Sequence, residues 1–398
     1  MLTAGIIAEY SPFHKGHAYH IQKTRELGAS HVVVCMSGNF TQRGEASPFD
    51  KFARADAAIA GGADLVLELP LAYSLSSAEH FGYGGVSILN SIGCVDWLSF
   101  GSEQGNLEGF TEAAQALEDT YLTEKIKSRM NERGETYALS RHRVLSDCCP
   151  GAAELLEKPN NALGFEYIKW LGRLGSKMRA VTIGRAGAGH DSRVSSEGFA
   201  SASYIRRNLE DRWDGVRNFI PAKAAEIFAS EIQKGRIIDR EKLDFAVLAK
   251  LRRMDSADFL NIADVGEGLE NRISNAVIYS RDLNQLLGMV KTKRYTMSRV
   301  KRVIMNAFLD IPREMRLRGT PYIRALALNG RGQEILRAAK KTCGEYISAS
   351  LADIRRNCPS ARDFVDLEVK STDIYKLCFR NPDICRTDFF RQVKKTDN

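Results

Sequence analysis

The sequence predicts an α/β protein: a doubly wound parallel sheet followed by a mainly α-helical domain. Three observations carry this. Short apolar runs alternate with helical patterns through the first 100 residues, at a period of about 30 residues, the length of one strand–helix–strand unit. The runs are apolar throughout rather than alternating, as in strands covered on both faces. Beyond about residue 215 strand-like runs nearly vanish, and basic, amphipathic helical patterns replace them.

Residues 3–9 (TAGIIAE) form the first run, and 15–27 follow with polar residues at helical spacing. Residues 31–37 (HVVVCMS) are the second strand. Helix formers fill 48–60, with Ser47 the expected cap and Pro48 in the first turn. Residues 63–69 (ADLVLEL) are a third strand that Pro70 stops. Residues 78–90 read as a helix weakened by three glycines, and 95–100 (VDWLSF) as a fourth strand. A helical stretch over 105–174 leads to a fifth strand at 178–183 (MRAVTI). Such a sheet binds its ligand at the carboxyl ends of the strands. In the second half 222–234, 240–253, 263–280, 297–308 and 321–328 read as helices. Two domains are expected, 1–215 and 216–398, with the boundary inside 210–235.

With 398 residues, 44% hydrophobic and 27% charged, the chain is neither disordered nor a small disulfide scaffold. No apolar run approaches the ~20 residues of a membrane span, and residues 1–17 lack the charged start of a signal peptide. Eight cysteines without framework spacing are expected as reduced thiols in a cytoplasmic protein. Charge is uneven. Residues 1–215 carry 22 Lys and Arg against 26 Asp and Glu; residues 216–398 carry 35 against 23, a net of +12. That excess points to a polyanion partner held by the second half. All seven histidines precede residue 191, so histidine chemistry is expected in the first half.

The first strand runs into Glu9-Tyr10-Ser11-Pro12-Phe13-His14-Lys15-Gly16-His17. Pro12 fixes the turn, and Gly16 opens the backbone where a helix begins. The helix N-terminus is an anion site. His14 and His17 fall on one helical turn, where two imidazoles can donate to phosphate as charge builds up. The stretch resembles the His-x-Gly-His signature of the nucleotidyltransferase superfamily, which includes class I aminoacyl-tRNA synthetases. There it binds ATP and stabilises attack on the α-phosphate. The competing readings are a surface histidine pair and, with His20 nearby, a metal site. His20 is expected ~240° around the helix from His14, and no carboxylate or Cys has ligand spacing, so no metal site is expected. A later stretch, Ala200-Ser201-Ala202-Ser203-Tyr204-Ile205-Arg206-Arg207, resembles the Ile-Ser-Ser-Thr-x-Ile-Arg loop that reaches the β- and γ-phosphates in related enzymes. Ser201, Ser203 and Arg206 can donate to phosphate; a capping serine beside a solvated arginine pair is the alternative.

Beyond these motifs the chain resembles, end to end, the tRNA(Met) cytidine acetate ligase family. The carrying stretches are 5–17 (GIIAEYSPFHKGH), 36–45 (MSGNFTQRGE), 62–70 (GADLVLELP), 100–103 (FGSE), 158–167 (KPNNALGFEY) and 184–190 (GRAGAGH). The resemblance implies a ligase that converts acetate and ATP to acetyl-adenylate and pyrophosphate. It then acetylates N4 of the wobble cytidine of elongator tRNA(Met), giving N4-acetylcytidine. It implies an ATP site along Ile7, Ala8, Glu9, Tyr10, Ser11, Pro12, Phe13, His14, Lys15, Gly16, His17, Ala18, Tyr19 and His20. Gly101, Asn161 in preference to Asn160, and Arg185 join that site. Mg²⁺ is expected with ATP. The residues' own chemistry is compatible: Gly101 follows the fourth strand, and Arg185 offers its guanidinium fork at the end of the fifth. Asn161 reads equally as a helix cap. Arg43, in the polar loop after the second strand, could meet acetate, tRNA or solvent. No covalent intermediate is needed, because acetyl-adenylate is itself an acyl donor, and Cys35 is expected to pack.

Residues 283–309 contain no Asp or Glu, and Lys291, Lys293, Arg294, Arg299, Lys301 and Arg302 crowd twelve positions there. Tyr295, interleaved, is expected to stack on an unpaired base; Arg313, Arg316 and Arg318 form a second basic cluster. These charges would set affinity rather than sequence choice. Two other functions fit less well. A small-molecule adenylyltransferase leaves the +12 half unexplained, and a non-enzymatic tRNA binder leaves His14, Gly16 and His17 unexplained.

Overall fold

In a computed structural model, the structure describes residues 1–393 except 104, 134, 136, 185–197, 210–211, 267 and 392. Five strands run parallel: β1 (Thr3–Ala8), β2 (His31–Ser37), β3 (Leu65–Leu69), β4 (Trp97–Ser102) and β5 (Arg179–Gly184). Two more, β6 (Ile323–Leu328) and β7 (Ile347–Ser348), extend the sheet to the order β5-β4-β1-β2-β3-β6-β7. On one side of β1 the chain steps outward through β2 and β3, on the other through β4 and β5. The crevice above β1 and β4 is therefore the switch point where such sheets bind ligand.

Local chemistry explains the elements. The β2 run HVVVCMS is buried at every position, as an apolar strand covered on both faces should be. The first helix, α1 (Lys15–Glu26), is capped by His14. The second, α2 (Lys51–Ala60), starts three residues later than expected, because Asp50 rather than Ser47 caps it by accepting from the Ala53 N–H at 2.8 Å. Helix Ala78–Ser91 keeps its glycines because it packs closely: a Cβ on Gly85 would lie 2.7 Å from Ile7, and one on Gly84 would lie 2.6 Å from Tyr73.

Residues 321–328, expected to be helical, form β6 instead. It pairs antiparallel with β3, Leu65 opposite Leu328 and Leu67 opposite Ala325. Arg, Ala and Leu favour helices in isolation, but burial against β3 overrides that preference. The price is a buried arginine. Arg324 is fully buried between Glu68 (2.8 Å) and Asp388 (2.7 Å). Lys51 joins the same network, 2.5 Å from Glu68, 2.7 Å from Asp388 and 3.7 Å from Glu368. Charges this deep are tolerated only as a mutually paired set. The remaining second-half helices form largely as expected: Ala222–Gln233, Arg240–Leu251, Leu269–Tyr279 and Met297–Phe308. One apolar core holds residues from both halves, including Ile7, Leu67, Val300, Phe364 and Tyr375. All eight cysteines are free. Among the described residues no helix is long and apolar enough to cross a membrane.

Candidate active site

A cavity of about 400 Å³ opens at the carboxyl ends of β1, β4 and β5. Its floor is the turn from β1 into α1. Tyr10 takes φ 47° there, a left-handed conformation that costs a non-glycine residue roughly 1–3 kcal/mol. Its ring is clamped between Phe13, 4.9 Å away, and His17, 4.6 Å away. The bend delivers the chain into α1 with His14 as the capping residue.

The histidine pair is oriented by backbone N–H groups. His14 Nδ1 accepts from the Gly16 N–H at 3.1 Å, and His17 Nδ1 accepts from the His14 N–H at 3.2 Å. With Nδ1 an acceptor in both neutral rings, the ring proton sits on Nε2. The rings stack at 3.7 Å, and a Cβ on Gly16 would press to 3.0 Å from His14 Cε1. Gly16 thus preserves the His14 geometry. His20 also lines the cavity, with Nε2 2.9 Å from Ser99 Oγ in β4. His14 lies outside the helical turns as their cap, so its stacking on His17 comes from the capping turn, while His20 is turned to Ser99.

The serine and arginine stretch singled out in the sequence forms another wall of the cavity. Ser201, Ala202, Ser203 and Arg206 all line the cavity. Ser201 caps helix Ala202–Asn208 by accepting from the Tyr204 N–H at 3.1 Å. Arg206 donates to the Ser11 carbonyl at 2.7 Å and lies 3.4 Å from Glu45. Burial lowers its pKa, and Glu45 and Glu9 counter that.

Of the other expected residues, Ile7, Ala8, Glu9, Tyr10, Ser11, Gly16, Tyr19 and Gly101 line the cavity, and so does Arg43. Pro12, Phe13, Lys15 and Ala18 do not: Pro12 and Phe13 are buried beneath the turn and Lys15 is exposed. Asn160 lines the cavity, whereas Asn161 is fully buried and its Oδ1 accepts from the Glu103 N–H at 3.1 Å. The helix begins at Pro159, so Asn161 is not its cap. Arg185 lies outside the described residues. An apolar wall of Phe81, Phe100, Leu163, Tyr167 and Phe199 completes the cavity. No role was read for these from sequence, since an aromatic in a helix or strand reads first as core. Among the described residues no three His, Cys, Asp or Glu side chains gather as a metal site.

The basic segment abuts this cavity. Lys301 Nζ lies 2.6 Å from Glu45, and Gly44, at φ 75°, packs so tightly that a Cβ would sit 2.5 Å from the Arg302 backbone nitrogen. Lys291, Lys293 and Arg294 are exposed. Arg302 lies 3.8 Å from Asp264, and Arg299 donates to the Asp264 carbonyl. Two expectations are corrected. Tyr295 is 5% exposed, flanked by Arg294 and Arg299 at 5.9 and 5.5 Å, so its ring is core rather than a stacking platform. Arg316 is buried, bonding the Ala72 and Leu75 carbonyls and Asp264, while Arg313 donates to the Val265 carbonyl and Arg318 pairs with Asp363. Arg316 is thus a structural tie, whereas Arg313 and Arg318 stay exposed at the surface.

A mostly parallel sheet with this switch point, a His-x-Gly-His turn and a Ser-x-Ser-x-x-Arg wall defines a nucleotidyltransferase, and a family model described as HIGH Nucleotidyl Transferase matches residues 1–388. The chain is 39% identical over 391 residues to the tRNA(Met) cytidine acetate ligase of Caldicellulosiruptor bescii, covering 96% of this chain and 95% of that one. It is 36% identical to the same enzyme of a Thermoanaerobacter species, over 98% and 99%. Thermotoga maritima TmcAL, solved with alpha-thio ATP, superposes with a TM-score of 0.93 at 30% identity over the full length of both chains. The chain belongs to the tRNA(Met) cytidine acetate ligase family.

Proposed function

We propose that this protein activates acetate with ATP and transfers the acetyl group to N4 of the wobble cytidine of elongator tRNA(Met). The observation that carries the reading is the pair of backbone-oriented imidazoles, His14 and His17, sharing one cavity with Ser201, Ser203 and Arg206. Acetate attacks the α-phosphate of ATP, and pyrophosphate leaves. The two Nε2–H groups donate to the phosphate oxygens as negative charge develops, while Ser201, Ser203 and Arg206 hold the β- and γ-phosphates. The aromatic wall excludes water, which would hydrolyse acetyl-adenylate. The cytidine amine then attacks the acetyl carbon and AMP leaves.

Residues 1–215 carry the ATP chemistry in this reading, and residues 216–398 supply the cations that hold the tRNA. The exposed Lys291, Lys293 and Arg294 lie on the segment leading into the helix that packs on the cavity loop through Gly44 and Glu45. Asn160 faces the nucleotide, and Asn161 positions the loop after β4 through Glu103. The test is incubation of pure protein with ATP, acetate and tRNA(Met), followed by mass spectrometry of the nucleosides. N4-acetylcytidine formed with release of AMP supports the reading. A stable dinucleotide product with unmodified tRNA refutes it.

A further inference from the structure

ATP and acetate are both anions, and the cavity lining supplies donors to suit them: His14, His17, Ser203 and Arg206. Glu9 does not fit that pattern. It ends the first strand run, lines the same cavity, and is half-buried. Its Oε1 is fixed by the Gln42 N–H at 2.7 Å; among the described residues no donor bonds Oε2. A carboxylate here opposes both substrates electrostatically, and the one Gln42 bond leaves its second oxygen open to another donor.

We propose that Glu9 is the catalytic base of acetyl transfer, accepting a hydrogen bond from the cytidine N4 amine and taking its proton as the amide forms. The inference rests on the cytidine-acetylating reading above. A carboxylate is the matching acceptor for the N4 donor of cytosine. In the step, the N4 lone pair forms a bond to the acetyl carbon. The bond from that carbon to the phosphate oxygen breaks, and AMP leaves with the electron pair. One N4 proton passes to the Glu9 carboxylate and from there to solvent.

The surroundings suit a base. Burial raises the Glu9 pKa, Arg43 and Arg206 pull it back, and Glu45 raises it again. Tyr167, from the helix Pro159–Arg173, feels its charge, and Arg54 of α2 donates to its backbone carbonyl at 2.7 Å. His14, His17 and His20 share the cavity. A base with its pKa raised toward the working pH is more effective than an ordinary carboxylate.

Glu9→Gln separates this role from simple anchoring of the 42–45 loop, because the amide oxygen can still accept from Gln42. Two assays on the full chain give the answer: acetate-dependent ATP–pyrophosphate exchange, and single-turnover transfer to tRNA from synthetic acetyl-adenylate. Glu9→Gln should slow transfer about 10²–10³-fold, at least about tenfold more than it slows exchange. The acid limb of the transfer pH profile should be absent. Glu9→Asp, which keeps a carboxylate, should transfer faster than Glu9→Gln and retain that limb. Transfer by Glu9→Gln at the wild-type rate, or equal loss in both assays, overturns the proposal. Wild-type protein that exchanges pyrophosphate but leaves tRNA unmodified overturns the cytidine reading itself, and the role of Glu9 with it.

Discussion

Lys301 Nζ lies 2.6 Å from the carboxylate of Glu45, and that carboxylate also reaches Arg206 at 3.4 Å. One acidic side chain thus ties the basic helix of the second half to the serine and arginine wall of the first. Burial pushes the Glu45 carboxyl up, but Lys301 and Arg206 hold it below the usual carboxylate range.

Gly44 makes that junction possible, and adding a methyl there should break it. Gly44→Ala places a Cβ 2.5 Å from the Arg302 nitrogen at a positive φ. We expect a stability loss of at least ~1 kcal/mol, read as a lower midpoint in denaturant, with tRNA acetylation falling further than pyrophosphate exchange.

His14→Ala and His17→Ala should each slow acetate-dependent ATP–pyrophosphate exchange about 10²–10³-fold, the value of one donor to a developing oxyanion. Exchange close to wild type in either variant contradicts the assignment of that ring.

Neutralising Lys291, Lys293 and Arg294 together should weaken tRNA binding and reduce its salt dependence by up to ~0.9 log units per lost phosphate contact. Exchange should be unaffected, because these exposed side chains do not line the cavity. Filter binding across a salt series measures the first, and equal loss of exchange argues against the division of labour.

The buried charge network makes stability depend on pH. Burial, reinforced by Glu68, pushes the Glu368 carboxyl up to about 8. A raised carboxylate pKa means the folded state binds the extra proton, so this contribution is present below the unfolded value of about 4.5 and lost as pH rises toward 8. Asp388 is held the other way, by Arg324 and Lys51 against its burial, so its contribution is lost in acid. Melting curves should show Glu368→Gln gaining relative to wild type as pH rises from 5 to about 8.5. Arg324→Met leaves two carboxylates short of their cation and should cost about 3–5 kcal/mol.

The sequence by itself determined β1–β5, the histidine turn, the serine and arginine wall and the sign of each half. These rest on information local in the chain: apolar runs of strand length, Pro and Gly at fixed turns, and residue types whose chemistry does not depend on distant neighbours. Tertiary structure alone decided that 321–328 is a strand, that Tyr295 and Arg316 are core, that Asn160 rather than Asn161 faces the cavity, and that Glu45 joins the halves. Each depends on which side chains meet across long separations: Arg324 with Glu68, Arg316 with Ala72, Lys301 with Glu45. Whether an arginine is a surface cation or a buried tie is set by its partners, and no local pattern in the chain specifies them.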